Sequence, residues 1–176
     1  MAGSLLIWQE ANLYAGDNGP NNSKHLTLTN IKIVAAKEVT HTHSPGGGAG
    51  QIKLGMGILE APEVSFKLIG VDPQTMGLFR FGESGLQYYT LYGVVRDKLT
   101  GVAIERKLVL RGRMTSVEES EFTRERATEQ DHMISEIMSF SLTHDRQEIW
   151  GYEFSPPSWR VNGVDTRSAE NAILRI

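Results

Sequence analysis

From Gln51 to Leu59 every second residue is apolar: Ile52, Leu54, Met56 and Ile58 alternate with Gln51, Lys53, Gly55 and Gly57. Successive side chains of an extended chain point to opposite faces, so a period of two specifies a strand with one buried and one wet face. The pattern resumes after Ala61-Pro62 with Val64, Phe66 and Leu68 opposite Glu63, Ser65 and Lys67. These two runs read as strands joined by a tight turn.

Further runs follow the same rule. Leu86–Arg96 and Val102–Met114 flank Asp97-Lys98-Leu99-Thr100-Gly101. An acid opens that loop and a glycine able to take positive φ closes it, which is hairpin chemistry. Met133–Thr143 sets Ile134, Met138, Phe140 and Leu142 against Ser135, Ser139, Ser141 and Thr143, and Asp145-Arg146 then turns the chain into Glu148–Ser155. Pro156-Pro157 ends that strand, because proline cannot donate to a ladder. Helical signals are few: Pro73–Arg80 fits about two turns, and Asp165 is placed to N-cap a closing helix through Leu174. About seven strands and one or two short α-helices make a mainly β (α+β) chain. The expected architecture is an antiparallel barrel or sandwich, closed or nearly so, forming a single domain over residues 1–176.

One segment does not belong inside a compact domain. Val39–Gly50 is polar and glycine-rich, between the strand-like Leu26–Ala36 and Gln51–Leu59. Paired, these flanks make residues 39–59 a protruding hairpin arm with a glycine tip.

Composition narrows the function classes. Leu, Ile, Val and Phe number 45 of 176 residues, enough for a core. Absence of cysteine excludes disulfides, thiolate metal sites and cysteine nucleophiles. Net charge is −3, of which the Glu118–Asp131 segment, with six acids and two bases, contributes −4. No basic stripe suits sequence-specific nucleic-acid binding. Met1–Trp8 lacks the basic lead and cleavage pattern of a secretory signal, and no apolar run approaches a membrane span. A soluble, unexported product is expected.

No catalytic constellation emerges. Gly82-Glu83-Ser84-Gly85 lacks the G-x-S-x-G spacing of a nucleophile elbow. The Gly46-Gly47-Gly48-Ala49-Gly50 run matches neither a dinucleotide nor a P-loop fingerprint. His41 and His43 share a face when extended, yet no third ligand sits at a supporting spacing, so they read as exposed loop histidines. His25, His132 and His144 read as satisfied surface positions near strand ends. The acids of 118–131 lack Ca²⁺-loop spacing and read as a solvated charged loop. Trp150, Tyr152 and Phe154, at strand spacing, read as core rather than as a base-stacking platform. No cofactor and no metal is expected.

Taken in order, several segments resemble the major tail tube protein family of contractile-tailed bacteriophages, to which R-type pyocin tubes are related. Asn12-Leu13-Tyr14-Ala15-Gly16 is similar to the family's opening strand. The glycine-rich arm leads into Ile52-Lys53-Leu54-Gly55-Met56-Gly57, and Val109-Leu110-Arg111-Gly112-Arg113 precedes an acidic loop. Val161-Asn162-Gly163-Val164-Asp165 and a short helix close the chain. The resemblance implies a structural virion protein, not an enzyme. It implies homo-hexameric rings stacked into the inner tube of a contractile tail, with the sheath protein outside and the tape-measure protein and DNA in the lumen. Baseplate and terminator proteins would meet the tube's ends, with no membrane partner and synthesis in the host cytoplasm. Inter-ring contacts are expected from Thr40, His41, Thr42, His43, Ser44, Pro45, Gly46, Gly47, Gly48, Gly50 and Lys53. Glu118, Glu119 and Glu121 are candidate lumen or ring-face charges. The alternatives are the tube of a pyocin or a type VI secretion system, or, from another class, a small ligand-binding β-barrel.

Overall fold

The computed structural model describes residues 3–82 and 85–176. In chain order the elements are β1 (Leu6–Ala15), β2 (Leu28–Lys32), β3 (Glu38–His43), β4 (Ile52–Leu59), β5 (Val64–Ile69), α1 (Pro73–Met76), β6 (Gln87–Asp97), β7 (Ala103–Glu119), β8 (Glu129–His144), β9 (Gln147–Glu153), β10 (Ser158–Val161), β11 (Val164–Asp165) and α2 (Ser168–Leu174). Among the described residues there are eleven strands where about seven were expected: the additions are β1, β3 in the segment read as polar loop, and the short β10 and β11 after Pro156-Pro157.

Turn chemistry sets the hairpins. Between β6 and β7, the Asp97 carboxylate accepts from Leu99 N and from Thr100 Oγ1, both at 2.9 Å, and Gly101 takes φ +76°. Asp145-Arg146 (φ 50° and 63°) and Asn162-Gly163 (φ 51° and 79°) are two-residue turns in the left-handed region, whose twist matches that of the flanking strands. Asp165 does not N-cap α2. Its Oδ1 accepts from Arg167 N at 2.9 Å, and the helix starts two residues beyond the expected first position, with Arg167 as a cap that lends no side-chain bond.

The main sheet runs β1-β6-β7-β8-β9-β10-β11, all antiparallel, with β5 joined to β8 and β2 to β5. Strand β8 therefore serves three partners. One edge pairs with β7 along nearly its whole length, while the other is shared by β5 (from Glu129 to Ile134) and β9 (from Ser139 to His144). The handover falls where β8 bulges: Arg111 pairs with Ser139 but Arg113 with Ser135, and Glu136 sits at φ 48°. Two bonds from Arg113, at 2.6 and 2.7 Å, hold the Glu136 carboxylate and keep it below the usual carboxylate range. Opposite the bulge lies Gly112, where an added Cβ would meet Ile134 Cγ2 at 2.9 Å and Ile137 Cγ1 at 3.1 Å.

Leu13, Val64, Phe66, Leu68, Tyr89, Leu91, Leu108, Leu110, Met114, Ile134, Ile137, Phe140 and Leu142 form one buried cluster. Tyr89 Oη lies inside it, and burial pushes its pKa up to about 12. The sheet does not close into a barrel. The segment before β2 touches β1 at one end, where Lys24 N donates to Leu13 O at 2.9 Å. β1 and β2 diverge around a gap of about 330 Å³ lined by Trp8–Ala11 and Leu28–Ile31. Both strands carry a register break beside it, between Trp8 and Glu10 and between Leu28 and Asn30, so their free edges do not match.

Other expectations change. β4 and β5 are not a hairpin: β4 pairs with β3, whereas β5 inserts between β2 and β8. Both sequence runs are strands, but Glu60–Glu63 carries the chain from the arm into the main sheet. Trp150 and Tyr152 pack on the core, but Phe154 is exposed. His132 is buried at 2% exposure, stacked on Phe66 at 4.6 Å, and neither ring nitrogen has a hydrogen bond of ordinary geometry. Ser84, weighed above as a nucleophile, lies outside the described residues. No helix among the described residues is long and apolar enough to cross a membrane.

A buried polar network ties together the end of the sheet where β8 begins. Lys24 Nζ lies 2.7 Å from Asp72 Oδ2, and Thr75 N donates to Asp72 Oδ1 at 3.0 Å, capping α1. Burial opposes the charge on Asp72, but the bonds from Lys24 and Thr75 win and hold its carboxyl below the usual range. Asp72 N donates to Gln130 Oε1 at 3.1 Å, and Gln130 Nε2 donates to Glu119 at 2.8 Å.

Two tests follow from this packing. Gly112→Val should cost about 1–3 kcal/mol by overpacking, read as a lower urea midpoint at unchanged slope. A wild-type midpoint would show that the bulge does not need a bare backbone there. The second concerns pH. Burial holds the His132 imidazole below its ordinary value, whereas an unfolded histidine takes up its proton near pH 6.5. Stability is therefore fully present above that point and is lost as pH falls through it. Between about pH 7.5 and about pH 5.5, the urea midpoint of wild type should drop more than that of His132→Phe; equal drops would assign the effect elsewhere.

Candidate assembly surfaces

β3 and β4 pair only with each other, and apart from Leu59 every residue of both is exposed. In the register His43↔Ile52, Thr42↔Lys53, His41↔Leu54 and Thr40↔Gly55, residues directly opposite share a face. One face of the arm thus carries Ile52 and Leu54 with His43 and His41, and the other carries Lys53 with Thr42. At the base the register breaks: β3 advances from Glu38 to Thr40 while β4 runs from Leu59 to Gly55. Gly57 permits this at φ +67°, its N–H donating to Glu38 Oε1 at 2.7 Å. Lys37 Nζ and Glu60, 2.8 Å apart, clamp the junction with the main sheet. Ser44, Pro45, Gly46, Gly47, Gly48 and Gly50 form the tip, with one turn bond from Gly48 N to Pro45 O at 3.1 Å. The expected contact residues therefore all lie beyond the clamp, on a projection with no core of its own.

Met56 and Ile58, 52% and 57% exposed, face a cleft of about 830 Å³ between the arm's base and the C-terminal strands. Its other wall is Phe154, Pro157, Trp159, the α2 cap Arg167 and the α2 residue Glu170. The alternation in β4 foretold an apolar face. It did not foretell that the face would stay uncovered within its own chain.

Glu118 and Glu119 end β7, and Glu121 stands in the exposed loop before β8. The acidic segment is thus only partly the loop expected of it, because Glu129 and Asp131 lie on β8 and both approach Lys67 Nζ, at 3.1 and 3.3 Å. At the same end of the sheet Leu26 is 82%, Val71 62% and Phe122 81% exposed. Sequence reasoning placed Leu26 at the start of a strand-like run and assigned Val71 and Phe122 no role.

The chemical alternatives gain nothing from the geometry. His41 and His43 stand on one face, but no group of three His, Asp or Glu side chains suited to a metal forms among the described residues. His25 Nδ1 is 3.0 Å from Ser23 Oγ at an exposed position.

Similarity to known proteins is informative about this arrangement. No curated protein sequence matches the chain. Solved structures with the same fold include a chain of the sheath-tube complex of the PVC extracellular contractile injection system in its extended state, at 10% identity and TM-score 0.51, covering 76% of this chain and 88% of that one. A chain of that system's sheath/tube terminator aligns at 10% identity and TM-score 0.53, covering 81% and 99%. One from the six-fold symmetrised baseplate of the anti-feeding prophage aligns at 11% identity and TM-score 0.52, covering 83% and 99%. A family model for the phage tail tube protein FII matches residues 10–173. That match takes in the opening strand, the arm, the forked sheet and the closing helix, and the chain belongs to the phage tail tube protein FII family.

Proposed function

We propose that this tube protein forms hexameric rings that stack into the inner tube of a contractile phage tail. The tube encloses a tape-measure protein and conducts DNA into the host, with the sheath outside and baseplate and terminator proteins at its ends. The subunit is structural and not an enzyme, and its place is the virion tail. The observation that carries the reading is the arm: a hairpin of which all residues but Leu59 are exposed, and whose apolar face is uncovered in a single subunit. An uncovered apolar surface of this kind marks a site of protein association. Thr40, His41, Thr42, His43, Ser44, Pro45, Gly46, Gly47, Gly48, Gly50 and Lys53 make the contact between rings. Glu118, Glu119 and Glu121 are charges of the ring face, because they stand where β7 ends, six residues of β5 away from the arm's root.

Two of the solved structures belong to an extracellular contractile injection system, which favours a second reading as the tube of a phage-derived injection device. The subunit's assembly is the same in both; the cargo differs, and the neighbouring genes separate the two.

Deleting Thr42–Gly50 removes the arm's outer part and leaves the main sheet intact. Electron microscopy of the purified variant should show rings or small species in place of long tubes, with the urea midpoint of the domain unchanged. Long tubes of ordinary appearance would remove the arm from ring stacking.

A further inference from the structure

The arm hangs on two connectors without regular structure, residues 33–37 and 60–63. Ile33 and Val34 pack on the core, which leaves residues 35–37 and 60–63 to set the arm's angle. Glu60 N donates to Lys37 O at 2.7 Å, and the Lys37–Glu60 ion pair lies beside it. Both contacts tie one connector to the other, and the ion pair is exposed, a setting in which such a pair holds little. Among the described residues no hydrogen bond or ion pair joins residues 38–59 to any other part of the chain. A rigid element borne on a few irregular residues at each end is the construction of a hinge.

The wall that the arm's root faces is apolar. Phe154, Pro157 and Trp159 line the cleft opposite Met56 and Ile58, and Met56, Ile58 and Phe154 are each more than half exposed. Bringing two such walls together removes apolar area from water, which is favourable. Charge does not oppose it: the root brings Lys37 and Glu38, with no net charge, against Glu153, Arg167 and Glu170. Both walls belong to one chain, so closure carries none of the lost translational freedom that a second copy would bring. The short connectors also keep the arm at high local concentration beside the wall.

We propose that in a free subunit the arm swings on its connectors and closes this cleft, packing Met56 and Ile58 against Phe154, Pro157 and Trp159 of its own chain. A folded-back arm is withheld from other copies, so closure restrains stacking until the arm opens. The restraint rests on the tube reading above; the closure does not.

The chain has no cysteine, so an introduced pair reports alone. Dilute full-length subunits carrying Met56→Cys with Phe154→Cys, mildly oxidised, should form an intramolecular disulfide, read as protein that runs as a monomer on a non-reducing gel and no longer takes up a thiol-blocking reagent. Thiols that stay open to the reagent overturn the closure and leave the tube reading standing. The oxidised protein should give no tubes by electron microscopy and recover them on reduction; tubes formed with the disulfide intact overturn the restraint. Wild-type protein that forms no rings or tubes at any concentration overturns the tube reading and the restraint together. A second variant needs no covalent bond. Of Trp8, Trp150 and Trp159, only Trp159 lines the cleft. In dilute subunits, Met56→Ser with Ile58→Ser should therefore raise acrylamide quenching of tryptophan emission above that of wild type, because the weakened arm uncovers Trp159. Equal quenching overturns the proposal.

Discussion

The fold turns on one strand having more partners than a strand has edges. β8 pairs with β7 on one side and must share its other side between β5 and β9. A straight ladder cannot do this, because β5 and β9 would compete for the same backbone groups. The bulge at Glu136 resolves the conflict by ending one pairing at Ile134 and starting the next at Ser139. At the bulge Ile134 and Ile137 lie against β7 where an added Cβ at Gly112 would meet them at 2.9 and 3.1 Å. Gly112 is therefore a steric consequence of the fork. The Arg113–Glu136 pair fastens the bulge from the solvent side, where its own contribution is small.

Because β5 is held by β8, the β2–β5 unit closes one side of the core and throws the intervening chain outward as the arm. The energetic consequence can be sized. Full burial of a Leu, Ile or Met side chain is worth about 1.5–3 kcal/mol. Ile52, Leu54, Met56 and Ile58 are 55%, 44%, 52% and 57% exposed, so covering them yields about half of the full value, on the order of 3–6 kcal/mol per arm. Association costs on the order of 4–15 kcal/mol in lost freedom. One arm therefore yields at most about the low end of that cost. In the proposed ring, six arms engage while that cost is met once, and stacking becomes favourable only for whole rings.

Much of this was legible in the residues, and the failures have a common cause. Alternation located strands and turn residues located hairpins, since both depend on neighbours along the chain. The glycine-rich tip was visible for the same reason, but the partner of β4 is β3, inside the segment read as polar loop, and not Leu26–Ala36, whose strand β2 pairs with β5. Partner choice was not visible. Nothing in Gln51–Leu68 separates a hairpin from two strands belonging to different sheets, because either arrangement satisfies the same alternation. His132 looked like a surface residue by its place near a strand end, yet β5 covers it and Phe66 stacks on it. Phe154 shared a period with Trp150 and Tyr152, but the alternation continues past the point where β10 and α2 cover the face. Leu26 alternates with Leu28, yet β2 begins only at Leu28 and leaves Leu26 exposed.

The small net charge illustrates the same difference between sum and arrangement. In the proposed six-membered ring, −3 per chain becomes −18, which suggests long-range repulsion between rings. At physiological ionic strength, however, charges further apart than about 8 Å are largely screened, so that total has little say in stacking. What remains is contact chemistry. The arm, with Lys53 and no acid in residues 39–59, leaves one end of the β2–β5 pair, and four acids and two arginines lie beside Phe122 at the other, with the length of β5, about 17–20 Å, between those ends, well beyond the screening length. Within a subunit the two groups do not neutralise each other, and between subunits placed head to tail they can. The absence of cysteine fits this arrangement, because a tube held by many directional non-covalent contacts needs no covalent lock.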